Sequence, residues 1–491
     1  MNKKKEFAKN TVILLLGKFC TQFISFLLLP LYTKRLATED YGTIDLIRTY
    51  ISLVIPVLTL RMDSATFRFL IDARKSERET REVISNILVV VFASVFCASI
   101  IAGALSFFID SPYYLYIYLN VIVLIISNVF LQILRGTGKT TKYAIASIIT
   151  GASTLLINIL QIVVFGRGAD SILISATIAN VFCIIFVFFT AKLYKNFSPI
   201  LVHRKTIKSF LKYSLPMIPN ALSWWAVNVS DRTVINIFLG AAYNGIYAVS
   251  CKFSNVLNSV LSIFTMSWQE SASLHINDPD RDEFFTKMIN QLLILFSSVA
   301  LLILVVLPIF YNKLIGEQYW SSYIYIPVLL YANTWNVLIN LIGGIYVAKK
   351  RTKEIASTTI AAGVINIVVD LILIHFIGVH AATISTLVSY MVMALYRAHD
   401  CQKYVKYKMD KWGIILFSII FVASAAIYYI NNPILNIANL ILVSLYVFLA
   451  NKDSLKSTLS MLKRKKVNNS KTKLTQKQKN DKIIGNYEQK I

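Results

Sequence analysis

Between residue 11 and residue 450 the chain returns repeatedly to long apolar runs, and no window between them is polar enough to build a soluble domain. An α-helix needs about 20 apolar residues to cross a bilayer, because the lipid leaves its backbone groups no partners but each other. About 14 such spans can be drawn, at 11–32, 42–60, 84–108, 114–134, 143–165, 171–191, 213–239, 245–267, 284–310, 323–347, 355–377, 380–397, 412–430 and 433–450. Their connections are short, which predicts a compact, all-α polytopic membrane protein. Composition agrees: 56% of the residues are hydrophobic and 15% charged, where a soluble domain carries about a quarter charged. A soluble enzyme is excluded, and so is a secreted disulfide scaffold. The five cysteines include no CxxC pair, so they read as small buried hydrophobes rather than a zinc site or a disulfide framework.

Charge then orients the bundle. Of the 50 Lys and Arg, alternation through the spans puts only Lys34, Arg35, Arg167, Arg232 and Lys313 on one side. Lys18, Arg48 and Lys252 fall inside spans. The remaining basic residues share the other side, which the positive-inside rule makes cytoplasmic, with both termini. The net charge of +25 is thereby explained by attraction to anionic lipid, without nucleic-acid binding. Residues 451–491, with Lys463-Arg464-Lys465-Lys466 as the densest run, read as a basic disordered cytoplasmic tail.

Two internal echoes suggest a duplication. Leu36 and Gly42 have the same spacing as Leu239 and Gly245, each pair standing at an entry into the membrane. Thr141-Lys142 with Ile145-Ala146-Ser147 matches Thr352-Lys353 with Ile355-Ala356-Ser357, less one residue. Two parallel six-helix halves follow, 1–200 and 201–400, with helices 13 and 14 at 401–450 outside the repeat.

Ionisable residues inside a membrane usually face a cavity or a partner. Lys18, Thr21, Gln22 and Ser25 share one helical face. So do Asp45, Arg48, Thr49 and Ser52, then Lys252, Asn255, Ser259 and Ser262, and again Thr359, Gly363, Asn366 and Asp370. For the neutral residues, bonding between helices is the plain alternative. Lys18, Arg48 and Lys252 sit at depths from which all three can reach a shared lumen, and desolvated cations there suit a phosphate-bearing cargo. Asp45, one turn from Arg48, is expected to neutralise it in part. Asp231, Arg232 and Asp370 admit two readings: structural ion pairs, or an Asp370 that titrates or binds Na⁺, coupling transport to an H⁺ or Na⁺ gradient. Pro216 and Pro219 should kink their span. The sign-alternating stretch 63–83 reads as a solvated amphipathic helix, with Arg61 and Arg68 as candidates for guarding the cytoplasmic mouth.

No catalytic constellation, metal cluster or cofactor motif is present, so a non-enzyme without cofactors is expected. The run Arg135-Gly-Thr-Gly138-Lys139-Thr140 ends like a P-loop but lacks the preceding glycine and follows a membrane helix rather than a strand.

Several short motifs together carry a resemblance: Leu29-Pro30-Leu31-Tyr32-Thr33, Tyr41-Gly42, Asp63-Ser-Ala65-Thr-Phe67-Arg68-Phe69, Leu215-Pro216 with Pro219, Ser230-Asp231-Arg232 and Gly245-Ile246-Tyr247. Over roughly residues 5–450 the chain resembles the polysaccharide transport (oligosaccharide flippase, Wzx-like) family of the multidrug/oligosaccharidyl-lipid/polysaccharide (MOP) exporter superfamily. The resemblance implies two six-helix lobes around a central cavity in a bacterial inner membrane. It implies transfer of undecaprenyl-diphosphate-linked oligosaccharide to the external leaflet by alternating access, for O-antigen, capsule or exopolysaccharide synthesis. Lys18, Arg48 and Lys252 would line the cationic lumen. Asp45, Gln22, Asn255, Asp231, Arg232 and Asp370 would supply its polar or ion-coupling groups. Expected partners are membrane lipids, a polysaccharide polymerase and chain-length proteins. A peptidoglycan lipid-precursor flippase and a cation-coupled multidrug antiporter are the alternatives, and a non-transporting scaffold for glycan assembly is a further one.

Overall fold

The computed structural model describes Ile24 and residues 26–452. Lys18 and Gln22 therefore lie outside the described residues, as do most of the first expected span and nearly all of the basic tail. Every regular element among the described residues is helical. In chain order the principal helices are α1 (Leu29–Arg35), α2 (Thr38–Leu58), α3 (Met62–Ala73), α4 (Glu77–Leu105), α5 (Tyr114–Gly136), α6 (Thr140–Ile159), α7 (Asp170–Ala191) and α8 (Arg204–Ser214). They continue with α9 (Met217–Phe238), α10 (Ala241–His275), α11 (Arg281–Leu314), α12 (Ile326–Ala348), α13 (Thr352–Ile377), α14 (His380–Asp400), α15 (Lys411–Ile430) and α16 (Pro433–Ala450).

Among the described residues, ten helices are long and apolar enough to cross a membrane. Helices α9, α10 and α14 have the length as well, at 22, 35 and 21 residues, but charged residues or Ser and Thr interrupt their apolar sequence. Many large side chains are exposed, among them Phe92, Phe96, Phe165, Phe376, Ile419 and Leu442. Such a surface is stable only against lipid.

Local chemistry sets the boundaries. The hydroxyl of Ser76 accepts from the Glu79 N–H, and Glu77 and Glu79 complement the positive helix end. These signals start α4 at Glu77, well before the apolar run at 84. The expected solvated helix over 63–83 is thus the shorter α3, and α3 is half buried through Met62, Ala65, Thr66, Leu70 and Ala73. Its charges occupy one side while its apolar residues join the core shared by α4, α5 and α8. The expected proline kink is instead a break. Helix α8 ends at Ser214, Pro216 caps α9, and Pro219 falls in the first turn of α9. Proline is tolerated there because that turn's N–H groups have no helical acceptor. Gly240 takes φ +97 at the junction of α9 and α10, a conformation that costs side-chain-bearing residues energy.

One apolar core joins Met62, Ile87, Val129, Ile133, Val187 and Phe210. Another joins Val234, Tyr247, Leu329, Ile374 and Ala381. The largest runs from Leu29, Tyr32 and Ile44 to Phe253, Trp268, Tyr319 and Tyr346. Helices α1 and α2 therefore pack on the second half of the chain as much as on their own.

The crossing of α2 and α10 is tight. A Cβ on Gly42 would lie 1.9 Å from the Ala241 carbonyl oxygen, and one on Gly245 would lie 2.1 Å from that of Thr38. The Asn244 side-chain amide donates to the Gly42 carbonyl at 2.7 Å. Nearby, the Tyr319 hydroxyl donates toward the carbonyls of Leu36 and Ala37 at 3.1 and 2.9 Å. The halves thus touch backbone to backbone at the end of the bundle away from the basic loops, and the meeting glycines are the two echoed in the sequence. Replacing either Gly42 or Gly245 with Ala should cost about 1–3 kcal/mol by overpacking. The double variant should lose less than the sum, because the first substitution already pushes apart the crossing that the second would clash with. Thermal unfolding of the purified variants measures both.

Candidate functional site between the halves

Helices α2, α9 and α10 each bring charge to the boundary between the halves. The Arg232 Nε donates to Asp45 Oδ2 at 2.6 Å, and both side chains are 13% exposed. This ion pair joins α9 to α2. Asp45 therefore pairs across the boundary, although Arg48 lies one turn away on its own helix. The charges of Arg48, Asp45 and Arg232 all act on Lys252, which projects from α10. Lys252 thus lies in the field of two further cations and of Asp45. Arg48 and Asn255 are exposed, and at this depth a charged exposed group requires water. Just below, the Trp225 indole N–H donates to the Thr49 carbonyl at 2.9 Å and its ring stacks on Tyr50, further tying α9 to α2.

An asparagine ladder continues from Asn255. The Asn258 amide donates to Asn255 and Asn333 at 3.1 and 3.0 Å. Asn336 donates to Asn258 at 3.1 Å, and Asn340 donates to Asn336 at 3.0 Å. Sequence reasoning missed its α12 members. Their spacing at 333, 336 and 340 marks one helical face, but it lies within a mostly apolar helix.

Asp231 and Asp370 sit in a second polar pocket, inside the second half. Asp231 Oδ2 accepts from the Tyr247 hydroxyl at 2.8 Å and the Thr386 hydroxyl at 2.9 Å. Asn366 accepts from Ser230 at 3.2 Å and donates toward Ser385 and Thr386. Asp370 is fully buried. Both of its oxygens, and Oδ1 of Asp231, lack a hydrogen-bond donor. The two carboxylates act on each other electrostatically. A pair of buried, partly unsatisfied carboxylates cannot both stay charged alone; a proton or a small cation must accompany them. The donor set of carboxylate, amide and hydroxyl oxygens fits a hard cation. No group of three or more His, Cys, Asp or Glu suited to a metal occurs among the described residues.

Arg61 and Arg68 lie on α3 or at its start, on the basic face. Arg61 has φ +54, pairs with Asp63 at 3.6 Å and donates to Ser64 at 2.8 Å. Arg68 pairs with Asp72 at 2.7 Å on the exposed side. Each has a nearby acid on the same helix.

The family model described as "Polysaccharide biosynthesis protein" matches residues 7–268. Among curated proteins, Lsg locus putative protein 1 of Haemophilus influenzae is 34% identical over 61 residues, covering 12% of this chain and 15% of that protein. The chain thus spans under a sixth of the length of that relative. Among solved structures, the lipid II flippase MurJ in an inward closed conformation aligns with a TM-score of 0.66 at 16% identity, covering 91% of this chain and 100% of that one. An inward-facing MATE family multidrug resistance transporter of the MOP superfamily aligns with a TM-score of 0.63 at 14% identity, covering 81% and 95%. At these identities the two structures speak for the fold. Its helices are arranged as in these membrane transporters, and with more than half of its length matched by the family model the chain belongs to the polysaccharide biosynthesis protein family.

Proposed function

We propose that this transporter moves undecaprenyl-diphosphate-linked oligosaccharide from the cytoplasmic to the external leaflet for surface polysaccharide synthesis. The observation that carries the reading is the gathering of cations at the boundary: Arg232 is paired with Asp45, while Arg48 and Arg232 both act on Lys252. A diphosphate entering between the halves would replace water as the partner of Arg48 and Lys252, while the lipid tail stays in the membrane. The Asp45–Arg232 pair and the Gly42–Gly245 contact hold the external end shut. Opening toward that side separates both contacts, and the rocking of one half against the other is the alternating-access step. Lys18 remains a proposed third lumen cation. A polymerase and chain-length proteins would take the delivered unit.

Removing a charge that contacts phosphate costs roughly tenfold or more in binding. Arg48→Ala and Lys252→Ala should therefore lower surface polysaccharide by about that factor at unchanged protein level, with Lys252→Arg retaining most of it. Polymer at the parental level in both alanine variants overturns the reading, and with it separates a transporter from a passive scaffold.

A peptidoglycan lipid-precursor flippase shares this chemistry, and the likeness to MurJ favours it as the second reading. Rescue of cells depleted of their own peptidoglycan-precursor flippase decides between the two.

Coupling is proposed to reside in Asp231 and Asp370, whose binding of H⁺ or Na⁺ would drive the return step. Asp370→Asn keeps the shape and removes one charge. Transport by that variant should no longer respond to collapse of the coupling gradient, while the parent loses activity. An Asp370→Asn variant that responds like the parent would place coupling elsewhere.

A further inference from the structure

The run Arg135-Gly-Thr-Gly138-Lys139-Thr140, set aside as a nucleotide-binding motif, forms the turn between α5 and α6 on the basic face. Gly138 takes φ +80, and a Cβ there would lie 3.7 Å from the Arg74 guanidinium carbon. Beside this turn opens a cavity of about 220 Å³, whose wall includes Arg74, Glu77, Thr80, Thr137, Lys139 and Asn196.

The two cations of this wall come from different elements and share a peculiarity. Arg74 donates through Nε and Nη2 to the carbonyls of Gly136 and Arg135, at 2.5 and 2.9 Å. Among the described residues, the one hydrogen bond of Lys139 Nζ is to the Thr190 carbonyl, at 3.4 Å. Among the described residues neither has a carboxylate within ion-pair distance. Burial and the nearby charge of Lys192 hold the Lys139 ammonium below the ordinary lysine range. Glu77 is the one acid on the wall. The threonines are already committed: the Thr137 hydroxyl donates to the Ile133 carbonyl and that of Thr80 to the Ala73 carbonyl. Recognition of a ligand thus falls to Lys139 and the free Nη1 of Arg74.

Cations gathered in a pocket, repelling one another and lacking an acid partner, are stabilised by an anion. A guanidinium edge beside an ammonium favours an anion with several acceptor oxygens on one centre. We propose that this cavity binds a phosphate group, separately from the charges between the halves. A bound phosphate would link the α3–α4 connection, through Arg74, to the α5–α6 turn, through Lys139. Two sources present this chemistry at the basic face of a membrane protein: the phosphodiester of an anionic lipid, and free phosphate.

The test uses the full chain purified in neutral detergent. One arm titrates inorganic phosphate by calorimetry. The other counts phosphatidylglycerol retained by native mass spectrometry, with phosphatidylcholine as control. Lys139→Gln should weaken binding by about tenfold in the responding arm. Glu77→Gln should tighten it by removing the opposing charge, and Lys208→Gln, an exposed lysine on α8, should leave it unchanged. Saturation by phosphate alone identifies a soluble ligand, and selective retention of phosphatidylglycerol identifies a lipid; either supports the site. No saturable binding in either arm overturns it. So does equal weakening by Lys139→Gln and Lys208→Gln, which would mean diffuse surface attraction. Thermal unfolding checks that Lys139→Gln stays folded, as expected for a side chain whose one bond is a long contact to a carbonyl.

Discussion

Placing an ionised side chain within a membrane-spanning bundle costs on the order of several kcal/mol unless a partner or water meets it. That constraint organises the middle of this molecule. Asp45 and Arg232 meet it with each other, at 2.6 Å and across the boundary between the halves. Arg48 meets it by being exposed, which at this depth means hydrated. Asp231 meets it in part, through the hydroxyls of Tyr247 and Thr386. Asp370 has no donor among the described residues and so needs a proton or a cation. The solutions differ: a pair across the boundary, an exposed cation, a partly satisfied carboxylate and an unsatisfied one.

The two polar regions differ in sign and in place. The positive one lies between the halves. The acidic one lies among α9, α10, α13 and α14, inside a single half. The two regions share no side chain, yet α9 and α10 contribute to both: Arg232 and Asp231 are adjacent on α9, and Lys252 and Tyr247 lie on α10.

Much of this was legible in the sequence. Apolar runs of bilayer length marked thirteen of the described helices, with ends within about eight residues, since length and hydropathy are local properties. The stripe Asp45, Arg48 and Ser52 marked the right face of α2. Pairing was not legible. Asp45 stands one turn from Arg48, yet its partner lies far along the chain, and only the crossing of α2 with α9 makes that choice. The α12 asparagines escaped because a polar stripe in an apolar helix looks like ordinary helix–helix bonding. The 61–83 segment misled because its dense charges concealed the apolar side that Met62, Ala65 and Leu70 bury. The prolines misled because sequence does not say whether such a residue falls within a helix or at its start.

The contact of Gly42 with Gly245 bears on the history of the chain. The two residues hold equivalent positions in a duplicated pattern, and they touch each other across the boundary. In a single-half ancestor assembled as a symmetric pair, one codon would have supplied both sides of that contact. At this crossing a change on either side meets the other. The likeness of the two stretches at these glycines has a geometric reason: two backbones this close leave room for one amino acid.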